Sequence, residues 1–216
     1  MILDHLSKSK YQNAYCMQEP VAEWSNMKSG TDLLSSFYEN KERWSFCFEN
    51  LVQLSRLKSH YQSLKLVNSQ PFLQQQKDRK VFLERSIYSS FHVFTQNTYD
   101  DFGINNIEFD ILKEYFHFFT NDLNSMFNWT DKNNPDSLHL PFKLIYIRSS
   151  PDVCFERMKN RNRLSEDLIS KDYLNSIHLK YEDWISKLCK DNVAVIDGNK
   201  SKEEVLQQIN NIVLEN

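Results

Sequence analysis

The chain has 216 residues, of which 40% are hydrophobic and 25% are charged, an ordinary composition for a globular protein with its own core. The formal net charge of −3 offers no basic surface of the kind that binds nucleic acid or an anionic membrane. No apolar run approaches the roughly 18 residues of a membrane span. Because the chain has no internal repeat and no low-complexity linker, residues 1–216 are expected to form one domain.

Strands alternate with helices along the chain. Strands are predicted where short β-branched and aromatic runs stop at polar residues, at residues 14–18, 81–83, 142–147 and 193–196. Helices are predicted from three- and four-residue apolar spacing at residues 44–57, 87–99, 107–127, 171–188 and 202–214, with a further helix starting at Ser150-Pro151. A polar loop is expected at residues 131–141. This order predicts an α/β fold with a parallel sheet flanked by helices.

Polar side chains follow three of the predicted strands. Glu19 comes after the first strand, Glu84 and Arg85 after the second, and Arg148 after the third. Ligands of parallel sheets bind at the carboxyl ends of the strands, so these groups are expected to meet at one edge. A carboxylate there could accept a hydroxyl proton, and an arginine could clamp a phosphate. The alternative for Glu84 and Arg85 is a surface ion pair.

Two further groups of polar residues lie on predicted helices. Glu49 and Arg56 share one face of a helix among apolar residues, where they either form an ion pair or bind a ligand. Arg157, Arg161 and Arg163 with Glu166 form an arginine-rich segment, which is either a solvated basic face or a phosphate-holding cluster.

Taken together, the sequence resembles the deoxynucleoside kinase family, which includes deoxycytidine, deoxyguanosine and mitochondrial thymidine kinases. The matches run in order from about residue 2 to the C-terminus. The matching segments are Glu19-Pro20-Val21-Ala22-Glu23-Trp24, Arg43-Trp44-Ser45-Phe46, Leu54-Ser55-Arg56-Leu57, Glu84-Arg85-Ser86-Ile87-Tyr88-Ser89, Ile145-Tyr146-Ile147-Arg148, the Arg161-Asn162-Arg163 lid, and Tyr173-Leu174 through His178 to Trp184.

The resemblance implies an enzyme of nucleotide salvage that transfers phosphate from ATP, with Mg²⁺, to the 5′-hydroxyl of a deoxynucleoside. It also implies a homodimer formed through helices. Glu19 would accept the proton of the 5′-hydroxyl, Arg85 would hold the 5′-oxygen and the incoming phosphoryl group, and Glu84 would bind magnesium or its water. Phosphoryl transfer of this kind depends mainly on positioning and on neutralising charge.

The resemblance also implies a substrate pocket and a lid. Trp24, Phe48 and Phe94 would wall the base, with Phe94 stacking on it, and Tyr38 and Glu166 would bind the 3′-hydroxyl. Lid arginines around the transferred phosphoryl group would be Arg157, Arg161 and Arg163. The remaining substrate-binding residues would be Leu34, Glu49, Arg56 and Ser90.

Two pocket positions depart from the family pattern. Glu49 stands where the family normally has glutamine, and an ionised carboxylate offers acceptors only. Glu49 would therefore pair with Arg56 or select a base edge richer in donors. Ser90 stands where deoxycytidine and deoxyguanosine kinases have aspartate and thymidine-type enzymes have a small residue. The pocket is a hybrid, so the preferred deoxynucleoside cannot be predicted.

The third departure is at the start of the chain. The family has a first strand and a GxxxxGK(S/T) phosphate loop directly before the helix to which Leu3 and Leu6 correspond. The 216 residues contain neither, and their three glycines are not clustered as such a loop requires. We therefore expect a truncated chain, an alternative start or an incomplete gene model, with impaired activity.

Two alternatives remain. The chain could be a non-catalytic subunit that binds nucleoside or dimerises with a longer partner. A nucleoside monophosphate kinase is a weaker alternative, because it does not account for Glu19-Pro20. The four cysteines have no metal-ligand spacing and no secretory signal precedes them, which favours reduced thiols in the cytoplasm. A mitochondrial location is the alternative, since a presequence would lie before the matched region.

Overall fold

The computed structural model describes residues 2–8, 14–68, 80–101, 103–126, 142–162, 166 and 168–214. The chain divides into two compact units, Met1–Phe116 and His117–Asn216. The expected polar loop at residues 131–141 and the lid residue Arg163 lie outside the described residues. The assignment of one domain to residues 1–216 stays a prediction.

The first unit combines a small parallel sheet with helices. Strand β1 (Ala14–Met17) pairs with β2 (Lys80–Leu83) in parallel, from Ala14 opposite Lys80 to Met17 opposite Leu83. Its helices are α1 (Ile2–Lys8), α2 (Val21–Ser25), α3 (Leu33–Glu39), α4 (Lys41–Asn68), α5 (Ile87–Ser89), a π-helix (Ser90–Thr95) and α6 (Gln96–Asp100). Helix α7 (Asn106–Met126) starts in this unit and ends in the second.

The core of the first unit is built on helix α4. Trp24, Leu33 and Phe37 from the two preceding helices pack on Phe48 and Val52, all at most 8% exposed. The rings of Phe37 and Phe48 stack with centroids 4.6 Å apart. Burying such large apolar side chains stabilises the fold by roughly 1.5–3 kcal/mol each. This packing fixes α4 beside the ends of β1 and β2.

The second unit contains its own parallel pair of strands. Strand β3 (Leu144–Arg148) pairs with β4 (Val193–Asp197). The helices of this unit are α8 (Pro151–Arg161), α9 (Lys171–Ser186), a 3-10 turn (Lys190–Asn192) and α10 (Lys202–Leu214). Ser150 caps α8 and Pro151 opens it, as the sequence predicts. A side chain at Gly198 would collide with Ser149 and Ile147, so the turn after β4 requires glycine.

The α/β fold with parallel strands is confirmed, and strand positions agree with prediction to within two residues. The predicted helix at residues 87–99 is instead interrupted by the π-helix Ser90–Thr95. A π-helix is wider than an α-helix and frequently occurs at functional sites. Within the described residues, no helix combines the length and apolar character needed to cross a bilayer.

Candidate active site

The candidate site is built around the carboxylate of Glu19, directly after β1. Arg56 Nη2 on α4 and Arg85 Nη1 after β2 both donate to Glu19 Oε1, the latter over 3.1 Å. The side chain of Glu19 is 14% exposed, that of Arg56 3% and that of Arg85 44%. Arg56 Nη1 also donates to the carbonyl of Glu84 over 2.6 Å. The predicted meeting of Glu19 with Glu84 and Arg85 is therefore present in the structure.

The backbone after β2 is shaped to present these groups. Glu84 N donates to Met17 O over 2.9 Å, which extends the strand pairing by one bond. Arg85 then takes a left-handed conformation with φ of 62°, which costs a non-glycine residue roughly 1–2 kcal/mol. This turn places the Arg85 guanidinium beside Glu19 and 4.7 Å from the centre of the Phe94 ring. Strain at this point is typical of a functional residue.

Aromatic side chains lie next to the Glu19 cluster. The Trp24 indole donates to Ser55 Oγ over 3.0 Å and meets the Phe48 ring edge-on at 5.8 Å. The Arg56 guanidinium lies 5.4 Å from the Trp24 ring. Leu34 and Tyr38, both predicted pocket residues, are partly buried against the apolar core that contains Trp24 and Phe48. The first unit thus brings the predicted base-walling residues Trp24 and Phe48 close to the proposed catalytic carboxylate.

Glu49 was expected either to pair with Arg56 or to contact the base. It does not form an ion pair with Arg56. Its carboxylate is 2% exposed, with Oε2 2.7 Å from Thr95 Oγ1 and Oε1 2.9 Å from Thr98 Oγ1. Burial raises the pKa of Glu49 from its ordinary 4.5 to about 7, and the two threonine hydroxyls oppose that rise. Arg56 instead pairs with Glu19.

Three buried polar side chains of the first unit have no hydrogen-bond partner among the described residues. They are Ser45 and Ser90, which are 0% and 1% exposed, and Gln53, which is 2% exposed and has both amide atoms unpaired. Ser90 is a predicted pocket residue, whereas Gln53 was missed by the sequence analysis. Its position one turn after Glu49 on the same helix face was the signal that could have found it. Buried unpaired polar atoms are expected to meet water or a ligand.

The predicted lid residues lie in the second unit. Arg157 donates to the carbonyls of Gly198 and Lys200 over 2.7 and 3.1 Å. Arg161 makes a two-pronged ion pair with Glu166, with Nη2 2.5 Å from Oε1. Arg148, expected at a shared strand edge, pairs with Glu182. The roles of Arg157, Arg161, Arg163 and Glu166 toward phosphate and the 3′-hydroxyl stay predictions.

Glu84 is the predicted magnesium ligand. One of its carboxylate oxygens accepts from the backbone N–H of Glu19 over 3.3 Å, and the side chain is exposed. The described residues hold no cluster of three His, Cys, Asp or Glu side chains able to coordinate a metal. A single carboxylate fits Mg²⁺, which is commonly held by one or two carboxylates together with substrate phosphates and water.

Comparison with known proteins agrees with the family resemblance. The family model for deoxynucleoside kinase matches residues 2–215. Deoxycytidine kinase of Mus musculus is 33% identical over 181 residues, which is 77% of this chain and 63% of that enzyme. Deoxycytidine kinase 1 of Xenopus laevis is 31% identical over 77% of this chain and 62% of its own length. Mitochondrial thymidine kinase 2 of Macaca fascicularis is 29% identical over 88% of this chain and 63% of its own length.

The chain therefore belongs to the deoxynucleoside kinase family. It spans less than two thirds of the length of these relatives. The relatives include both deoxycytidine kinases and a thymidine kinase, so their names do not single out one nucleoside.

Proposed function

We propose that this chain carries the nucleoside-binding side of a kinase that transfers phosphate from ATP to the 5′-hydroxyl of a deoxynucleoside. The observation that carries the proposal is the Glu19 carboxylate held by Arg56 and Arg85 at the ends of two parallel strands. A carboxylate in this position can accept the hydroxyl proton as the 5′-oxygen attacks. The half-exposed Arg85 can stabilise charge on the transferred phosphoryl group.

Further side chains support this assignment. Glu84 would hold Mg²⁺, which would neutralise phosphate charge when bound. Trp24, Phe48 and Phe94 would enclose the base, while Leu34 and Tyr38 would line the sugar side of the pocket. Ser90 and Arg56 would lie at the polar end, where the buried Ser90 hydroxyl has no partner among the described residues.

The 216 residues by themselves are expected to transfer phosphate poorly. They contain no GxxxxGK(S/T) motif, so the lysine and backbone amides that such a loop places on the phosphates are missing from them. Loss of a single arginine finger in phosphoryl transfer lowers the rate about 10³-fold or more. Nucleoside binding depends on other residues and is expected to persist.

The test separates binding from transfer. Isothermal titration with deoxycytidine, deoxyguanosine and thymidine should show binding of at least one of them to the purified chain. Transfer of labelled phosphate from ATP should be weak, and Glu19→Gln should abolish it while binding is kept. If none of the three nucleosides binds, the proposal is wrong.

A second candidate, a non-catalytic subunit that dimerises, is favoured by one surface. Ile107, Ile111 and Tyr115 recur on one face of α7 and are 72%, 38% and 47% exposed. Exposed apolar surface of this kind marks protein interfaces. The proposed occupant is a second copy of the chain, in line with the helical homodimer that the family resemblance implies. Zero transfer together with retained nucleoside binding would favour this candidate.

A further inference from the structure

The buried carboxyl group of Glu49 joins α4 to the segment that carries Phe94. Glu49 Oε2 lies 2.7 Å from Thr95 Oγ1 and Oε1 lies 2.9 Å from Thr98 Oγ1, one residue after Phe94 and four residues after it. The Thr98 hydroxyl also lies 3.0 Å from the carbonyl oxygen of Phe94. The carboxyl group, the hydroxyl and the carbonyl therefore form a chain that ends on the backbone of Phe94.

The number of hydrogens available to this series of hydrogen-bonded groups indicates the protonation state of Glu49. The Thr98 hydroxyl has one hydrogen but faces two acceptors, Glu49 Oε1 and the Phe94 carbonyl. If Glu49 is ionised, the single Thr98 hydrogen can serve only one of these two contacts in full. If Glu49 is protonated, it donates to Thr98, Thr98 donates to Phe94, and Thr95 donates to Glu49 Oε2. Only the protonated form lets the Thr98 hydroxyl hydrogen-bond fully to Glu49 Oε1 and to the Phe94 carbonyl at the same time.

The charges around Glu49 agree with this protonation state. Arg56 pairs with Glu19, Lys58 with Glu23 at 3.9 Å, and Lys41 with Asp101 at 3.8 Å. Burial and the two threonine contacts account for the pKa of Glu49. The remaining titratable groups on the helices and strand packed against α4 are Tyr38, Glu39, Lys80, Tyr88, His92, Tyr99 and Asp100.

We propose that Glu49 is a neutral carboxylic acid that positions Phe94 by donating its proton to Thr98. The role in base stacking rests on the proposed function of Phe94, whereas the protonation state does not. A buried anion without a cationic partner is costly, and a neutral acid removes that cost. A carboxylic acid has one donor and one acceptor, as does the amide of glutamine, so Glu49→Gln can make the same bonds at every pH.

The first test uses the unliganded protein. A carboxyl group whose pKa is raised on folding adds stability below its unfolded pKa of 4.5 and loses it as the pH rises to about 7. We expect the unfolding midpoint of Glu49→Gln, relative to wild type, to increase between pH 4.5 and 7 and to level off above. A pH-independent difference between the two proteins would show that Glu49 is ionised throughout and would overturn the proposal.

The second test uses titration with deoxycytidine and thymidine. Wild-type affinity should fall about tenfold between pH 6 and 8.5, while that of Glu49→Gln stays constant, since its donor cannot ionise. Thr98→Ser should behave as wild type, and Thr98→Val should bind weakly at every pH. Parallel pH profiles for wild type and Glu49→Gln would overturn the positioning role. If neither nucleoside binds, the proposed function and the positioning role both fall, while the stability comparison still decides protonation.

Discussion

The guanidinium of Arg56 pairs with the carboxylate of Glu19, 37 residues earlier in the chain. Its second terminal nitrogen donates to the carbonyl of Glu84 over 2.6 Å. One side chain on α4 thus fixes the carboxylate that follows β1 and the backbone that follows β2. The planar, forked guanidinium suits this double contact, and the point charge of lysine does not.

Arg56→Met is expected to destabilise the fold and abolish nucleoside binding. It leaves the largely buried Glu19 carboxylate with Arg85 as its remaining arginine partner and removes the donor to Glu84. Breaking a buried ion pair costs about 3–5 kcal/mol, so urea unfolding should show a loss of about 3 kcal/mol in the free energy of unfolding.

Lys58→Met is the matched control for Arg56→Met on the same helix. Its pair with Glu23 is more than half exposed and should change stability by less than about 1 kcal/mol. Equal losses in the two variants would contradict a special role for Arg56.

Replacing Arg85 should separate backbone strain from side-chain function. Both Arg85→Gly and Arg85→Ala remove the guanidinium beside Glu19 and should abolish phosphate transfer. Glycine tolerates the φ of 62° that alanine adopts only with strain. The glycine variant should therefore be more stable than the alanine variant by about 1 kcal/mol in urea unfolding. If the alanine variant is equally stable, the turn after β2 is not strained.

The sequence was sufficient to predict the meeting of Glu19 with Glu84 and Arg85. Each residue directly follows a strand, and parallel strands place their ends at one edge. Local patterns also located the strands, because short apolar runs bounded by polar residues are visible without knowing the tertiary structure.

The partners of Glu49 could not be predicted in the same way. Thr95 and Thr98 are 46 and 49 residues away, and only tertiary packing brings them to the carboxylate. The π-helix Ser90–Thr95 was missed because its apolar residues also fit ordinary helical spacing. Both features set the local geometry of Phe94, so the part of the candidate site around Phe94 was the harder half to predict.

Gln53→Leu should make the unliganded protein more stable and nucleoside binding weaker. Leucine fills a similar volume without the two unpaired amide atoms, whose burial costs about 1–3 kcal/mol. If these atoms meet the base, their loss should weaken binding about tenfold, which is about 1.4 kcal/mol. Gln62→Leu, at an exposed position of α4, is the control and should change neither quantity. Unchanged affinity in Gln53→Leu would show that Gln53 does not contact the nucleoside.

The exposed face of α7 predicts a dimer that polar substitutions dissociate. Ile111→Gln with Tyr115→Gln removes apolar surface from the middle of this face. Light scattering after gel filtration should show a dimer for wild type and a monomer for the double variant. Asp110→Asn with Lys113→Gln changes exposed residues elsewhere on the same helix and should remain dimeric. A wild-type monomer at micromolar concentration would contradict this interface.

His60 should make the protein less stable in mild acid. Burial, together with the nearby charge of Arg56, lowers the pKa of His60 from 6.5 to about 4. Its neutral Nε2 lies 3.3 Å from the backbone N–H of Ile87, from which it accepts. The unfolded chain binds the proton more readily, so stability is full above pH 6.5 and is lost as the pH falls toward 4.

His60→Gln should remove this loss, as measured by thermal unfolding between pH 4 and 7. Glu49 produces the opposite slope over nearly the same range, so the comparison is clearest in the Glu49→Gln background. His117→Gln, at an exposed position of α7, is the control and should keep the slope of the parent protein. If His60→Gln and its parent lose stability equally toward pH 4, the acid sensitivity arises elsewhere, and the buried imidazole at α4 does not cause it.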